Sequence, residues 1–435
     1  MSQLYPFTDP IHAQSQPPKR IVSGSGIRVT DDAGNAYVDA VSALWCASLG
    51  FNPKRLTDRM ATQMAELAYY HSFMGRTPEL SDELAKRLVQ ILPNPLSHVF
   101  FGTSGSEIVD TAAKFVRFYQ NARGKPNKKR MIARDGAYHG SGQMSAALTG
   151  FGYCHDGFDV PLDMVLRTGR PHYLRDAEIG ESEVAFSKRR ATELDALITT
   201  SDPDTIGAFI GEPAMGAGGV IMPPDGYWAE IQNVLAKHDI LLIADEIITG
   251  FGRTGEWFAC ETYGIKPDMM TMAKQLTASV FPMSAVAMSD KVYDTIGQLA
   301  HHYETLGHGV TYGGHPVGAA VAIECLDIYQ EMDIPNHVKG LGGVLASELH
   351  SISNLHGVLD VRSVGLLACV EFQTKAPVSL AARVGKVAEE KGVFFRIIGD
   401  VLAIAPPYIT TPDEIRQIIH VLKDSIYTVT EGTDV

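Results

Sequence analysis

The sequence predicts an α/β fold built on a mostly parallel sheet, from three features. Short apolar runs recur between amphipathic helices, carboxylates and glycines directly follow those runs, and the chain is too long for one simple core. With 435 residues, two domains or one domain with large extensions are expected. The runs are "HVFFG", "KRMIAR", "IGAFIGEP", "ILLIADE" and "PDMMTMAK". Strands buried on both faces of a parallel sheet read as continuous apolar runs, and alternation with helices puts those helices on both faces. Ligands of such sheets bind at the carboxyl ends of the strands.

Taken in order, residues 1–50 read as an irregular arm followed by strands. "GIRVTDDAGNAYVDAVS" alternates around an Asp-Ala-Gly-Asn turn, as a hairpin does. A helical pattern begins near residue 54, and "LSDELAKRLVQIL" is amphipathic. Residues 155–190 are polar and poorly periodic, which predicts a long surface excursion near the mouth of a site. "PVGAAVAIECLDIYQEM" begins a helix at about residue 315, and "TPDEIRQIIHVLKDSIYTV" is a Pro-initiated amphipathic helix.

A net charge of -13 argues against nucleic acid or an anionic membrane surface as the main partner. No apolar stretch reaches membrane-spanning length, and prolines interrupt the N-terminal "MSQLYPFTDPIHAQSQPPKR". Cys46, Cys154, Cys260, Cys325 and Cys369 are scattered and form no CxxC, so neither a disulfide framework nor a zinc site is expected. A reducing cytoplasm is the expected compartment, with no bound metal.

"ILLIADEIITGFGRTG" sets Asp245 and Glu246 directly after a buried strand, where an ionised carboxylate is costly without a cationic partner. In "FFGTSGSEIVDTAAKFVRFY" a strand runs through a Ser-Gly-Ser turn, Ser104 to Ser106, into a helix. Backbone N–H groups and the helix dipole there suit a phosphate, although taken alone such a turn more often merely caps a helix. "GAYHGSG" places Tyr138 and His139 in a glycine-lined loop, able to stack on a planar ligand or to be an ordinary aromatic loop. "GEP" puts Glu212 at another strand end, and "MMTMAKQL" puts Lys274 at a further one. A partly desolvated lysine amine has a lowered pKa and becomes a nucleophile toward carbonyls. A phosphate cradle, an aromatic, an acid and a lysine at one sheet edge form the set that a phosphate-bearing pyridine aldehyde needs. The cofactor's ring N–H would then be the partner that Asp245 lacks.

The matches "SGSE", "AYHG", "GEP", "ADEIITGFGRTG", "AKQLT" and "HGVTYGGHP", spread over residues 40–410, resemble the class III aminotransferases. These are pyridoxal-phosphate enzymes of fold type I. The resemblance implies a large domain over 54–314 and a smaller α+β domain built from both ends, 1–53 and 315–435. It further implies that Lys274 is the Schiff-base lysine, Asp245 the partner of the pyridinium and Tyr138 the ring-stacking residue. Ile247 would pack on the other ring face, Ser104, Gly105 and Ser106 would hold the phosphate, and His139 and Glu212 would complete the cofactor's surroundings. Thr311 would reach the phosphate of a neighbouring subunit, so the site would be completed in a homodimer or a dimer of dimers. "YPFTDP", "ALWCASLGF" and "FFRIIGDVLAIAPPYIT" resemble the omega-amino acid and amine:pyruvate branch. There Trp45, with Phe73 and Met74, would line the substrate pocket, and Arg396 would bind a substrate carboxylate. Arg396 is equally readable as a surface salt bridge. The chain departs from the family pattern at Gln275, where glycine is common, and at Ile108, Val109, Ser284 and Gly313.

The function so implied is ping-pong transfer of an amino group from an omega- or beta-amino acid or a primary amine to a keto acid, pyruvate above all. The same scaffold carries aminomutases and decarboxylating transaminases, and a homologue can bind the cofactor without catalysis. A nicotinamide dehydrogenase is set aside because no GxGxxG follows a first strand.

Overall fold

The computed structural model describes residues 3–373 and 378–430. Its centre is a seven-stranded sheet flanked by two four-stranded sheets drawn from the chain ends. The strands in chain order are β1 (Ile21–Ser25), β2 (Arg28–Asp31), β3 (Ala36–Asp39), β4 (Leu96–Gly102) and β5 (Arg130–Arg134). They continue with β6 (Val165–Thr168), β7 (Ile206–Gly211), β8 (Leu241–Asp245), β9 (Met269–Met272) and β10 (Ser284–Ser289). The C-terminal strands are β11 (Val358–Val364), β12 (Leu367–Phe372), β13 (Val393–Phe394), β14 (Arg396–Ile398) and β15 (Val401–Ile404). The central order is β4-β10-β9-β8-β7-β5-β6. β9, β8, β7, β5 and β6 pair in parallel, and β10 alone runs antiparallel to its neighbours β9 and β4.

Every residue of β7, β8, β9 and β10 is buried, because helices cover both faces. The helix Gly105–Ala122 packs on β4, β7, β9 and β10, and the helix Tyr227–Lys237 packs on β8. Burial on both faces removes the polar alternation of a half-exposed strand and leaves the continuous apolar runs seen in the sequence. The chain ends meet where β13 pairs in parallel with β3, so the sheet β1-β2-β3-β13 joins the N-terminal hairpin to the C-terminal region.

The "GFGRTG" turn ties these C-terminal elements to β8. Gly252 has φ 99°, and a Cβ there would lie 2.0 Å from Ile334 Cγ2 on the helix Ile334–His350, so only glycine fits. Arg253 is wholly buried, donates from Nη1 to the carbonyls of Leu366 (3.1 Å) and Pro406 (2.8 Å), and lies over the Tyr408 ring.

Two expectations need correction. Residues 155–190 are not one surface excursion, since they contain β6, the edge strand of the central sheet, and the short helix Tyr173–Asp176. Their polarity belongs partly to Arg167, which extends from β6 to donate to the carbonyls of Ala147, Leu148 and Thr149 at the end of the helix Gln143–Leu148. That satisfies orphaned helix-end carbonyls but disguises the strand. The central sheet also gains β10, whose small residues "SAVAMS" carry a weak strand signal.

Candidate active site

The ends of β4, β5, β7, β8 and β9 converge on one cavity of about 340 Å³. It is lined by Ser104, Gly105, Ser106, Tyr138, His139, Glu212, Asp245, Ile247 and Lys274 among others. Each side chain arrives by a local cause. After β4, Ser104 is the N-cap of the helix Gly105–Ala122, accepting from Glu107 N at 3.2 Å, while the Glu107 carboxylate accepts from Thr103 N at 2.7 Å. A helix start leaves its first N–H groups without intrahelical partners and aims its positive end outward. Here that end opens on the cavity. Gly105 lies against Ile247, and a Cβ there would stand 3.1 Å from Ile247 Cδ1.

Asp245 ends β8 and is almost wholly buried. Its Oδ1 accepts from Ile247 N at 3.2 Å, and its Oδ2 lies 2.7 Å from His139 Nδ1. A carboxylate oxygen only accepts, so Nδ1 carries the proton of that bond. The sequence reading left Asp245 to a partner supplied by the cofactor, and the fold adds His139 beside it. His139 Nε2 is buried with no partner among the described residues. Glu246, next in the chain, turns away from the cavity and is satisfied locally by Thr249 Oγ1 and by Cys260 N at 2.7 Å. Glu212 follows β7, and burial pushes its pKa up. Its carboxylate accepts from Tyr138 N (3.2 Å) and Gly216 N (2.9 Å).

Lys274 follows β9 with φ 43°, a left-handed conformation uncommon outside glycine. Its remaining exposure is to the cavity, and burial lowers the pKa of its amine, against the charges of Asp245 and Glu212 which raise it. The amine is thereby more readily free of its proton near neutrality.

Five expected residues are not among those lining this cavity. Trp45 is not among the cavity-lining residues and is buried in a cluster that includes Ile248 and Val401, while the flanking Leu44 and Cys46 form the wall. Left-handed backbone at Ser42, Ala43 and Trp45 produces this reversal. Phe73 and Met74 line a second cavity of about 690 Å³ with Gly309, Val310 and Gly313. Thr311, in the same loop, is exposed, and its carbonyl accepts from Tyr69 Oη at 2.8 Å. Arg396 opens β14, is exposed, and holds its guanidinium 5.9 Å from the centre of the Trp45 ring. Sequence reasoning missed Leu44, Cys46, Thr103, Thr277, Phe281 and Met283 on the cavity wall. Leu44 and Cys46 sit within the quoted "ALWCASLGF", so a signal for them was present.

The chain has relatives along nearly its whole length. Residues 11–426 match the family described as aminotransferase class-III. An uncharacterized aminotransferase of Sinorhizobium fredii is 41% identical over 440 residues, spanning 98% of this chain and 94% of its own. Gamma aminobutyrate transaminase 3, chloroplastic, of Solanum lycopersicum is 43% identical over 425 residues, spanning 96% and 82%. A thermostable omega transaminase 6-fold mutant from Pseudomonas jessenii superposes with a TM-score of 0.97 at 42% identity, covering 99% of this chain and 97% of that one. The omega transaminase from Pseudomonas jessenii in complex with PMP gives a TM-score of 0.97 at 42% identity, covering 99% and 96%. With this fold and these relatives over nearly its whole length, the chain belongs to the class-III aminotransferases, pyridoxal-phosphate enzymes that transfer an amino group to a keto acid.

Proposed function

We propose that this enzyme takes the amino group from an omega- or beta-amino acid or a primary amine, that pyruvate is the keto-acid acceptor, and that Lys274 handles both cofactor and substrate. One observation carries this reading: Lys274 and Asp245 open on one cavity with a helix start at its side. The cavity fits pyridoxal phosphate by the chemistry of its donors. N–H groups at Gly105 and Ser106 suit a phosphate, the Asp245 carboxylate suits a ring N–H, and the Lys274 amine suits an aldehyde. When bound, the cofactor supplies an electron sink for charge developing on the substrate's Cα.

The chain's own residues do the rest. Asp245, braced by His139 and by Ile247 N, would hold negative charge against the ring nitrogen and favour its protonated form. Tyr138 and Ile247, both on the cavity wall, would hold the cofactor ring between them. The Lys274 amine, with its pKa lowered by burial, would accept the Cα proton from the substrate and hold it for return. Leu44 and Cys46 form one wall of the cavity. Arg396 turns toward the carboxylate of an amino or keto acid and away from an apolar amine. Trp45, at the back of that wall, is the surface over which Arg396 moves.

Relatives named gamma aminobutyrate and omega transaminases support a donor whose amino group is remote from its carboxylate. The enzyme works as a homodimer in which Thr311, Phe73 and Met74 complete the neighbouring subunit's site, since within one chain they lie away from the Lys274 cavity. We place it in the cytoplasm, a reading supported by cysteines that are all free among the described residues. No described helix is long and apolar enough to cross a membrane. The test is to mix the yellow holoenzyme with a panel of amines without acceptor. An omega-amino acid or amine bleaches the visible band, and pyruvate restores it with formation of alanine. Bleaching by alpha-amino acids alone would overturn the donor assignment.

A further inference from the structure

Gln275, where the chain departs from the family's common glycine, is wholly buried beside Lys274. Its Nε2 lies 2.9 Å from the carbonyl oxygen of Trp45 and 2.9 Å from that of Ile248. Both partners only accept, so both amide hydrogens are donated and the orientation of the side chain is fixed by chemistry. The Gln275 backbone carbonyl accepts from Tyr329 Oη at 2.8 Å, and that hydroxyl stands 2.6 Å from Ser48 Oγ. The residue after the lysine is therefore held at its backbone and at the tip of its side chain.

One of its acceptors lies in an unusual turn. Ser42, Ala43 and Trp45 have φ of 52°, 60° and 58°, a region that L side chains rarely adopt. Such backbone persists only where its surroundings over-determine it. Asp39 restrains the near end, accepting from Val41 N (2.9 Å) and Ala43 N (3.1 Å), and Ser42 Oγ donates to Ala405 O at 2.7 Å. The bond to Trp45 O restrains the far end, between the two residues, Leu44 and Cys46, that face the cavity. Ile248 lies on the cavity wall after Asp245. A single amide thus joins three walls: the lysine turn, the Leu44–Cys46 turn and the loop after β8.

We propose that Gln275 is a positioning residue that sets donor selectivity by locking the Leu44–Cys46 wall to the lysine-bearing turn. The proposal rests on the reading that the Lys274 cavity receives the amine donor. With the lock in place, a donor's substituent meets a fixed wall and its size is discriminated. Without it, the strained turn relaxes and the wall yields to larger groups.

The experiment uses holoenzyme of the wild type, Gln275→Met, which keeps side-chain length without donors, and Tyr329→Phe, which removes the hydroxyl holding the Gln275 carbonyl. The readout is the ratio of kcat/KM for a bulky aromatic amine to that for a short aliphatic amine, with pyruvate as acceptor. Loss of two buried hydrogen bonds predicts a rise on the order of tenfold in Gln275→Met and about threefold in Tyr329→Phe. In a Leu44→Ala background, where the wall side chain is already gone, Gln275→Met adds no further change. A ratio within about twofold of wild type in both variants, with only a lower Tm, makes Gln275 merely structural and overturns the proposal. If Gln275→Met does not fold, the Tyr329→Phe ratio decides alone. An inert Lys274→Ala beside an unchanged ratio sinks the selectivity claim alone, whereas turnover by Lys274→Ala sinks the underlying reading and the claim together.

Discussion

The Lys274 cavity and the seam between residues 172–175 and β11–β12 both bury carboxylates, and they treat them in opposite ways. At the seam, Glu371 is 2% exposed and ringed by two guanidinium groups and an imidazole. Arg175 Nε lies 2.5 Å from Oε1, Arg362 Nη1 2.6 Å from Oε2, and His172 Nε2 3.5 Å from Oε2. Burial raises the pKa of Glu371, but the hydrogen bond from His172 and the charge of Arg362 outweigh it and hold the group well below the ordinary 4.5. In the cavity, Glu212 has only backbone N–H partners and its pKa rises with burial. Asp245 has one imidazole and one N–H. The contrast separates structure from chemistry: a buried charge that the fold surrounds with cations holds elements together, whereas one left short of partners is poised for a ligand.

Four changes test that contrast, in falling order of effect. On the proposed mechanism Lys274→Ala removes the group that accepts and returns the proton, so amino transfer falls on the order of 10⁴-fold or more. Steady-state assay with an amine and pyruvate measures it, and the circular dichroism spectrum stays native. Asp245→Asn keeps shape but withdraws the charge proposed to face the ring nitrogen, lowering kcat about 10²- to 10³-fold. Its single acceptor oxygen can serve either His139 Nδ1 or Ile247 N but not both, so stability falls by about 1–2 kcal/mol.

At the seam the outcome reverses. Glu371→Gln leaves Arg175 and Arg362 without their shared carboxylate and costs about 3 kcal/mol of stability, read by urea unfolding, while kcat at low temperature is kept. Its pH dependence has a definite sign. The folded pKa lies below the unfolded one, so the stabilisation is fully present above pH 4.5 and is lost as pH falls below that value through the folded pKa. The stability gap between wild type and Glu371→Gln therefore closes in acid. A gap that widened there would contradict the assignment. The smallest effect belongs to Arg396→Ala, which raises KM for the keto acid about tenfold and leaves KM for an apolar amine in place. Equal rises in both would reduce Arg396 to a surface residue.

Much of this was legible in the sequence because β7, β8 and β9 are continuous apolar runs, and an acid or a lysine directly after such a run can only sit at a sheet edge. Asp245, Glu212 and Lys274 share a cavity for that reason. The unread parts depend on non-local pairing or on backbone geometry. β6 has four residues, one of them Arg167 turned to a helix end. β10 is recognisable only through its antiparallel partners β4 and β9. Motif resemblance placed Trp45 on the pocket wall, but positive φ at Ser42, Ala43 and Trp45 turns its neighbours inward instead. Such dihedrals leave no mark in the pattern of side chains. Gln275 stood out only as a departure, and its three-way bonding required the folded chain.

The most direct test is chemical. The yellow holoprotein is reduced with borohydride, digested, and mapped by mass spectrometry. The account predicts one pyridoxyl-phosphate adduct, on Lys274, and loss of the visible band in step with it. A stoichiometric adduct on any other lysine, or no reducible band in protein saturated with the cofactor, would contradict it.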